Sequence, residues 1–299
     1  MRYADLVPCY NAFVDCRTPG SEAKENFTII GPGVSENPAQ HVHIAEPHGY
    51  NIGGARQPPG CVNSQHSHDT AEVFVVHSGH WRFDLGEHGD DAQVALAPGD
   101  VISIPTQVFR GFTATAPADD GSPGFLWAVL GQDDPGRVMW APHVFDLADK
   151  YGLVLLENGS LVDTVAGETM PADINPLPPT TREQAASLQR LTDSDAASII
   201  VRAADVEADN KLLIGKGAPL DWPHGFTLER IACNQGEPMT LGPDADKPMV
   251  LFVHRGSLEI DATDGSLTLN EGDTISLLPG PRPAIIAGSD ATVFAVEAQ

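Results

Sequence analysis

At 299 residues the chain has room for two domains of ordinary size, and its 41% hydrophobic content is that of a globular protein with a real core. Lysine and arginine number 17 against 41 acidic residues, a net charge of −24 spread along the chain without an acidic block. Such a surface repels phosphate backbones and anionic lipid headgroups, so neither nucleic acid nor a membrane is expected as a partner, and we read the acidity as a solubility feature.

In chain order, Met1 to Pro8 lacks the apolar stretch and cleavage site of a secretory signal. No hydrophobic run reaches the ~20 residues that span a bilayer, and a cytoplasmic protein is expected. The four cysteines, Cys9, Cys16, Cys61 and Cys233, form no CxxC pair, which leaves free thiols and no structural zinc site of the usual spacing. Residues 1–40 are rich in turn formers, with one short strand predicted at Phe27–Ile30. His41-Val-His43-Ile44 alternates polar and apolar residues, and we expect a strand with outward histidines there; His48 beyond it could line a pocket.

Tyr50 to Leu130 is β-rich. Strands are predicted at Tyr50–Gly53, Val62–His68, Glu72–His77, His80–Leu85, Gln93–Leu96, Val101–Ile104, Gly111–Ala114 and Phe125–Leu130, separated by Gly, Pro and Asp clusters. Many short strands at even spacing indicate an antiparallel sandwich or barrel. Inside this stretch, Gly60 to Gly79 carries chemistry. His66 and His68 stand two apart, so on a strand they share a face. Glu72 follows a short turn and opens the next strand. If that strand runs back beside the first, two imidazoles and one carboxylate converge, a set suited to a divalent transition metal with open positions, iron above all.

Residues 131–195 break the rhythm. His143 to Gly152 is predicted as a short helix, Ala172 to Pro179 as extended, and Thr180-Thr-Arg-Glu183 as a capping box opening a helix over Gln184–Leu191. The apolar content is too thin for a third domain. Residues 196–299 return to strands, at Phe226–Ala232, Met249–His254, Ser257–Asp261, Ser266–Leu269, Thr274–Leu278, Ala284–Ala287 and Thr292–Val296. The punctuation repeats too: Leu96 to Pro105 parallels Leu269 to Pro279, and Val75-Val-His-Ser-Gly79 parallels Phe252-Val-His-Arg-Gly256. Such a repeat implies two copies of one barrel.

The first copy resembles the cupin superfamily, whose first motif reads G(x)5HxH(x)3-4E(x)6G; Gly60, His66, His68, Glu72 and Gly79 fill it. Of the second motif, G(x)5PxG(x)2H(x)3N, Gly99 and Pro105 match, but Gln107 stands at the glycine and Arg110 at the histidine that is the fourth metal ligand. The resemblance implies an all-β bicupin: two double-stranded β-helix, jelly-roll-like barrels with a short, partly helical connector. The expected division is 1–140, 141–195 and 196–299. Aligned on Gly236 and Gly256, the second copy puts Gly242 and Asp244 at the histidine positions and Met249 or Pro248 at the glutamate, with Arg282 the nearest polar residue past Pro279. We read it as a structural and interface module.

Arg110 admits two accounts. In one, His66, His68 and Glu72 hold one divalent metal per chain, with Fe(II) the first choice and Mn, Ni or Zn as alternatives, and Arg110 turns away to clamp a substrate carboxylate as the catalytic, substrate-binding cation. In the other there is no metal and Arg110 pairs with Glu72. His77 faces the wrong side of its strand to restore a fourth ligand, whereas His80 could. Phe74 and Val76 share Glu72's face. Trp81, Phe83, Phe109, Phe112 and Trp127 add aromatic bulk, and Phe74, Trp81, Phe83, Phe112 and Trp127 are the expected substrate-contacting set. Cys61 is read as a small buried residue. The function implied is a metal-dependent enzyme, a non-haem dioxygenase-like oxidoreductase acting on a small organic acid or aromatic compound, as a homodimer. The alternatives are a metal-free small-molecule-binding bicupin and a cupin isomerase or lyase.

Overall fold

The computed structural model describes residues 1–206, 210–241, 246–262 and 265–299. The N-terminal barrel comprises β1 (Glu25–Ile30), β2 (Val42–Ile44), β3 (Tyr50–Gln57), β4 (Val62–Ser67), β5 (Glu72–Ser78), β6 (His80–Leu85), β7 (Ala92–Leu96), β8 (Val101–Ile104), β9 (Arg110–Ala116), β10 (Gly124–Gly131) and β11 (Met139–Trp140). The connector carries α1 (Pro142–Lys150), the hairpin β12 (Leu153–Leu155) and β13 (Leu161–Asp163), α2 (Arg182–Ala186) and α3 (Asp193–Ser198). Then follow β14 (Ile200–Val201), β15 (Lys211–Ile214), β16 (Phe226–Cys233), β17 (Met249–Arg255), β18 (Leu258–Ala262), β19 (Gly265–Leu269), β20 (Thr274–Leu277), β21 (Ala284–Ala287) and β22 (Ala291–Ala298).

Two sheets face each other in the first barrel, in the orders β14-β8-β5-β10-β3-β1-β2 and β11-β4-β9-β6-β7. The second barrel repeats the five strands β8-β5-β10-β3-β1 of the first sheet as β20-β17-β22-β16-β15 and keeps part of the other as β21-β18-β19. The repeat legible in the punctuation is thus a repeat of topology. Among the described residues β4 has no full counterpart: at its place only the isolated bridge Pro238↔Ile286 remains. Gly242 and Asp244 lie outside the described residues. Met249, at the glutamate position, is buried in the second barrel's apolar core.

Side-chain alternation divides β5 and β10 between two cores. Phe74, Val76, Leu126 and Ala128 point into the first barrel. Val73, Val75, Phe125, Trp127 and Val129 point out onto Leu228, Phe252 and Phe294 of the second. The barrels therefore pack sheet on sheet. Trp127 stacks on Phe252 with centroids 4.8 Å apart, and Tyr50 Oη donates to Val296 O at 3.0 Å.

Two segments cross the expected division. Ile200 and Val201 pair with Ile102 and Val101 of β8, so β14 extends the first barrel's sheet from beyond residue 195. In exchange the N-terminus docks on the second barrel: the Met1 ammonium donates to Thr274 O at 2.7 Å, and Arg2 pairs with Asp273 at 2.7 Å. The connector builds more core than its composition promised. Val144, Ala148, Leu153, Leu155 and Ala185 pack with Val14, Cys16, Phe109 and Trp140 beside the mouth of the first barrel. The capping box falls one residue later than expected, on Thr181 and Gln184, and its helix ends at Ala186.

Candidate metal centre

The turn Ser67 to Ala71 reverses the chain so that β4 and β5 present His66, His68 and Glu72 to one interior. The glycine that ends the motif is required by sterics. Gly79 has φ +72°, and a Cβ there would sit 2.7 Å from Gly124 Cα and 2.9 Å from Ala116 O. One ligand atom from each of His66, His68 and Glu72 lies within 4.8 Å of the others, and all three residues are buried. It is the only such cluster of three among the described residues.

The His66 tautomer follows from its partner. Nδ1 lies 2.7 Å from Ser64 O, which can only accept, so Nδ1 carries the proton and Nε2 offers its lone pair to the interior. Ser64 N–H in turn donates to Asp15 Oδ2 at 3.0 Å, which ties the His66 turn to a wholly buried carboxylate. His68 Nδ1 is buried without a partner, and its Nε2 is 3.5 Å from Glu72 Oε2. Burial, reinforced by the charge of Arg110, pulls His66 down to about 3 and His68 well below the usual imidazole range. Both rings are neutral at pH 7, the state a metal ligand requires.

Arg110 is wholly buried, and its guanidinium is spent on the protein. Nη2 and Nε donate to Glu72 Oε2 at 2.6 and 3.2 Å, and Nη1 donates to Val108 O at 3.2 Å. Burial pushes the Glu72 carboxyl up and the Arg110 guanidinium down, and their mutual attraction opposes both shifts. Glu72 Oε1 takes no part in these hydrogen bonds. The residues present thus fit a divalent ion: a free Nε2 lone pair on His66, an unpartnered His68 ring nitrogen and an unshared carboxylate oxygen.

The cavity beside these residues has a volume of about 80 Å³ and a mostly apolar wall. Phe74 and Phe112 line it. Arg110 does not, because it lies against Glu72. Three other expected contacts are corrected. Trp81 and Phe83 are sealed in the core of the first barrel, Phe83 stacked on Phe112 at 5.2 Å. Trp127 points out of the barrel, because its cross-strand partner is Val75 and not an inward residue of β5. His48, which could have lined a pocket, instead bonds Ser276 Oγ at 2.6 Å on the second barrel. His77 faces away as expected, and His80 is exposed and no part of the cluster. His43 is held structurally by Thr28 O at 2.8 Å and Val7 N at 3.0 Å.

Sequence reasoning missed four residues around the cavity: Asp15, Lys24, Glu36 and Trp140. Lys24 and Trp140 line it. Trp140 is the cross-strand partner of His66, with rings 5.3 Å apart, and its Nε1 donates to Glu36 at 2.6 Å. Burial pushes the Glu36 carboxyl up to about 8. Three of the four lie in the irregular N-terminal arm, where no periodicity or motif marks them; for Trp140 the rarity of tryptophan was the one available signal.

Two facing antiparallel sheets, repeated, with a buried His-His-Glu cluster inside the first pair, define a cupin architecture. The cupin domain family matches residues 55–119, within the first barrel. Similar solved structures include oxalate decarboxylase of Bacillus subtilis, studied for its Mn(II) centres, at 10% identity and TM-score 0.55, covering 100% of this chain and 76% of that one. The formate complex of Lactobacillus farciminis oxalate decarboxylase aligns at 11% identity and TM-score 0.58, covering 99% and 84%. The nickel(II) complex of the Escherichia coli pirin YhhW aligns at 10% identity and TM-score 0.54, covering 99% and 96%. No curated protein sequence matches the chain. At such identity the likeness is one of fold.

Proposed function

We propose that the N-terminal barrel is a metal-dependent enzyme acting on a small organic anion, with His66, His68 and Glu72 holding one divalent transition metal. The observation that carries this reading is the buried convergence of three ligand-type side chains, with the Nε2 lone pair of His66 already aimed inward by Ser64. Such an ion, when bound, supplies a Lewis acid with open positions, and if it is Fe(II) a centre for oxygen chemistry of the dioxygenase kind. A similar fold accompanies Mn(II) in one relative and nickel(II) in another, which leaves the choice of metal to measurement.

The charges around the cavity favour an anion. Lys24 and Arg110 offset Asp15 and Glu72, all buried, while His66 and His68 are neutral. A divalent ion therefore enters a site without spare negative charge, and a carboxylate or enolate ligand offsets part of the ion's charge. Arg110 serves as a positioning residue: it holds Oε2 of Glu72 and leaves Oε1 to the interior. Phe74, Phe112 and Trp140 exclude water. The volume of about 80 Å³ is roughly half of the ~150 Å³ cavity that admits benzene, so a small acid fits better than a substituted aromatic.

The test is elemental analysis of the purified protein before and after anaerobic reconstitution with Fe(II), Mn(II) and Ni(II), followed by turnover assays on small carboxylic acids with and without O2. Near-stoichiometric metal that Glu72→Ala releases is expected, because a two-histidine remnant binds weakly. Less than about 0.1 metal per chain after every reconstitution would sink the reading. The Arg110–Glu72 ion pair favours a second one in that event, a metal-free binding protein in which arginine stands in for the cation.

A further inference from the structure

The cation facing the cavity is Lys24, not Arg110. Lys24 immediately precedes β1, and strand alternation places Lys24, Asn26 and Thr28 on one side, where all three line the cavity. Glu25 lies on the other side and pairs with Arg56 at 2.5 Å. The Lys24 side chain is 0% exposed, yet its ammonium has a single acceptor among the described residues, Asp15. Its other neighbour is the ring of Phe13, 5.7 Å from Nζ. An ammonium has three donors, and leaving two of them unused in a buried wall is costly.

Asn26 gives an independent signal. The residue is 5% exposed and its Nδ2 is buried without any partner. Asn26 pairs with Ala55 of β3, and Gly53, Gly54 and Ala55 are all cavity-lining, so this wall is shaved to small residues beside an unused donor. Gln40 adds an unpartnered buried acceptor, Oε1, on the same cavity, while its Nε2 reaches Asn26 O at 3.5 Å. Buried polar atoms in a folded protein are normally satisfied, and each exception calls for a ligand, a water or a role. Here two unused kinds of donor and one unused acceptor meet around one small cavity.

We propose that Lys24 and Asn26 form a carboxylate subsite, with Gln40 Oε1 accepting from a hydroxyl, so that the cavity takes a small hydroxycarboxylate. The subsite deepens the enzyme reading above by assigning the substrate's anchoring end, but it does not need the metal to be occupied. Asp15 positions the Lys24 side chain, and through Ser64 it also sets the turn that carries His66. The two ends of the cavity thus share one buried carboxylate.

Calorimetric titration with glycolate and with its neutral isostere glycolamide tests this, on full-length protein both chelator-treated and metal-reconstituted. Glycolate is expected to bind in both preparations, and glycolamide roughly tenfold more weakly or not at all. Asn26→Ala removes no hydrogen bond of the folded protein, so it should fold normally, hold the same metal and lose roughly tenfold in glycolate affinity. Lys24→Met combined with Asp15→Asn removes both buried charges together and should abolish glycolate binding; if that pair does not fold, Asn26→Ala still decides. Equal binding of glycolate and glycolamide, wild-type affinity in Asn26→Ala, or no glycolate binding up to about 10 mM would overturn the subsite. Glycolate binding without any metal uptake would keep the subsite and remove the enzyme, and metal uptake without glycolate binding would do the reverse.

Discussion

Arg110 occupies the corner of the site where the resemblance places a fourth, histidine ligand, and its chemistry is decided by depth. At the surface an arginine beside open coordination positions would bind a substrate carboxylate; wholly buried, it must be neutralised by the protein, and Glu72 is the carboxylate within reach. Breaking a buried pair costs about 3–5 kcal/mol, whereas replacing both partners costs far less. Arg110→Gln should therefore lower the unfolding free energy by about that amount and reduce the metal retained, since Glu72 loses the hydrogen bonds that orient it. Arg110→Met combined with Glu72→Met should recover much of the stability without recovering metal. Chemical denaturation and metal analysis on the three proteins read both effects. Full metal retention in Arg110→Gln would return Arg110 to a role in substrate binding.

At the scale of elements, the link from β8 to β9 preserves a conformation whose usual residue is gone. Gln107, at the family's glycine position, has φ +59°, and its backbone ties this link to both neighbours: its N–H reaches His68 O at 3.2 Å and its carbonyl accepts from Gln189 N at 2.8 Å. Its side chain is exposed and makes no hydrogen bond, so nothing offsets the left-handed strain. That strain costs roughly 1–2 kcal/mol, and glycine returns about half of the gain as chain entropy. Gln107→Gly is expected to raise stability by about 0.5–1 kcal/mol, and Gln107→Val to lower it. A midpoint shift in urea with unchanged slope would show it, and a lower midpoint for the glycine variant would refute it. The second barrel shows the opposite economy. It keeps the strands that face the first barrel and, among the described residues, reduces the counterpart of β4 to a single bridge. The strand that carries His66 of the candidate metal centre in one copy is the one reduced in the other.

Across the whole molecule the barrels are joined by an apolar sheet face that contains one histidine from each copy. His77 and His254, equivalent in the repeat, meet with rings 5.5 Å apart. His77 also faces Tyr3, Phe125 and Phe252, and His254 faces Phe294, with the charges of Arg230 and Arg255 acting on it. Burial pulls His77 down to about 4 and His254 to about 3 from the ordinary 6.5. Below pH 6.5 the unfolded chain binds protons that these two folded histidines refuse, so the pair's contribution to stability is complete above that value and is lost as pH drops toward 4. His66, His68 and His224 shift the same way and contribute to the slope. Replacing His77 and His254 together by Phe should lower proton uptake on unfolding by up to about two between pH 6.5 and 4, read from unfolding free energies along that range. An unchanged slope would show that the pair titrates normally.

How much of this was legible depends on the range of the interactions involved. Strand positions, the two-copy layout and the His66, His68 and Glu72 set were readable because alternation, glycine turns and ligand spacing are local properties of twenty or fewer residues. That Phe74 faces inward followed from Glu72 by parity alone. No such rule linked Trp127 to its face, since that needs the register of β10 against β5. Nor could the sequence reveal that β14 crosses back to β8, that residues 1–3 dock on the second barrel, or that Lys24 and Asp15 pair beneath His66. Sequence by itself determined which residues have the chemistry to hold a metal. Tertiary structure alone decided that Arg110 is buried against Glu72 and that Lys24 faces the cavity, because whether a charge seeks solvent, substrate or a protein partner depends on its depth.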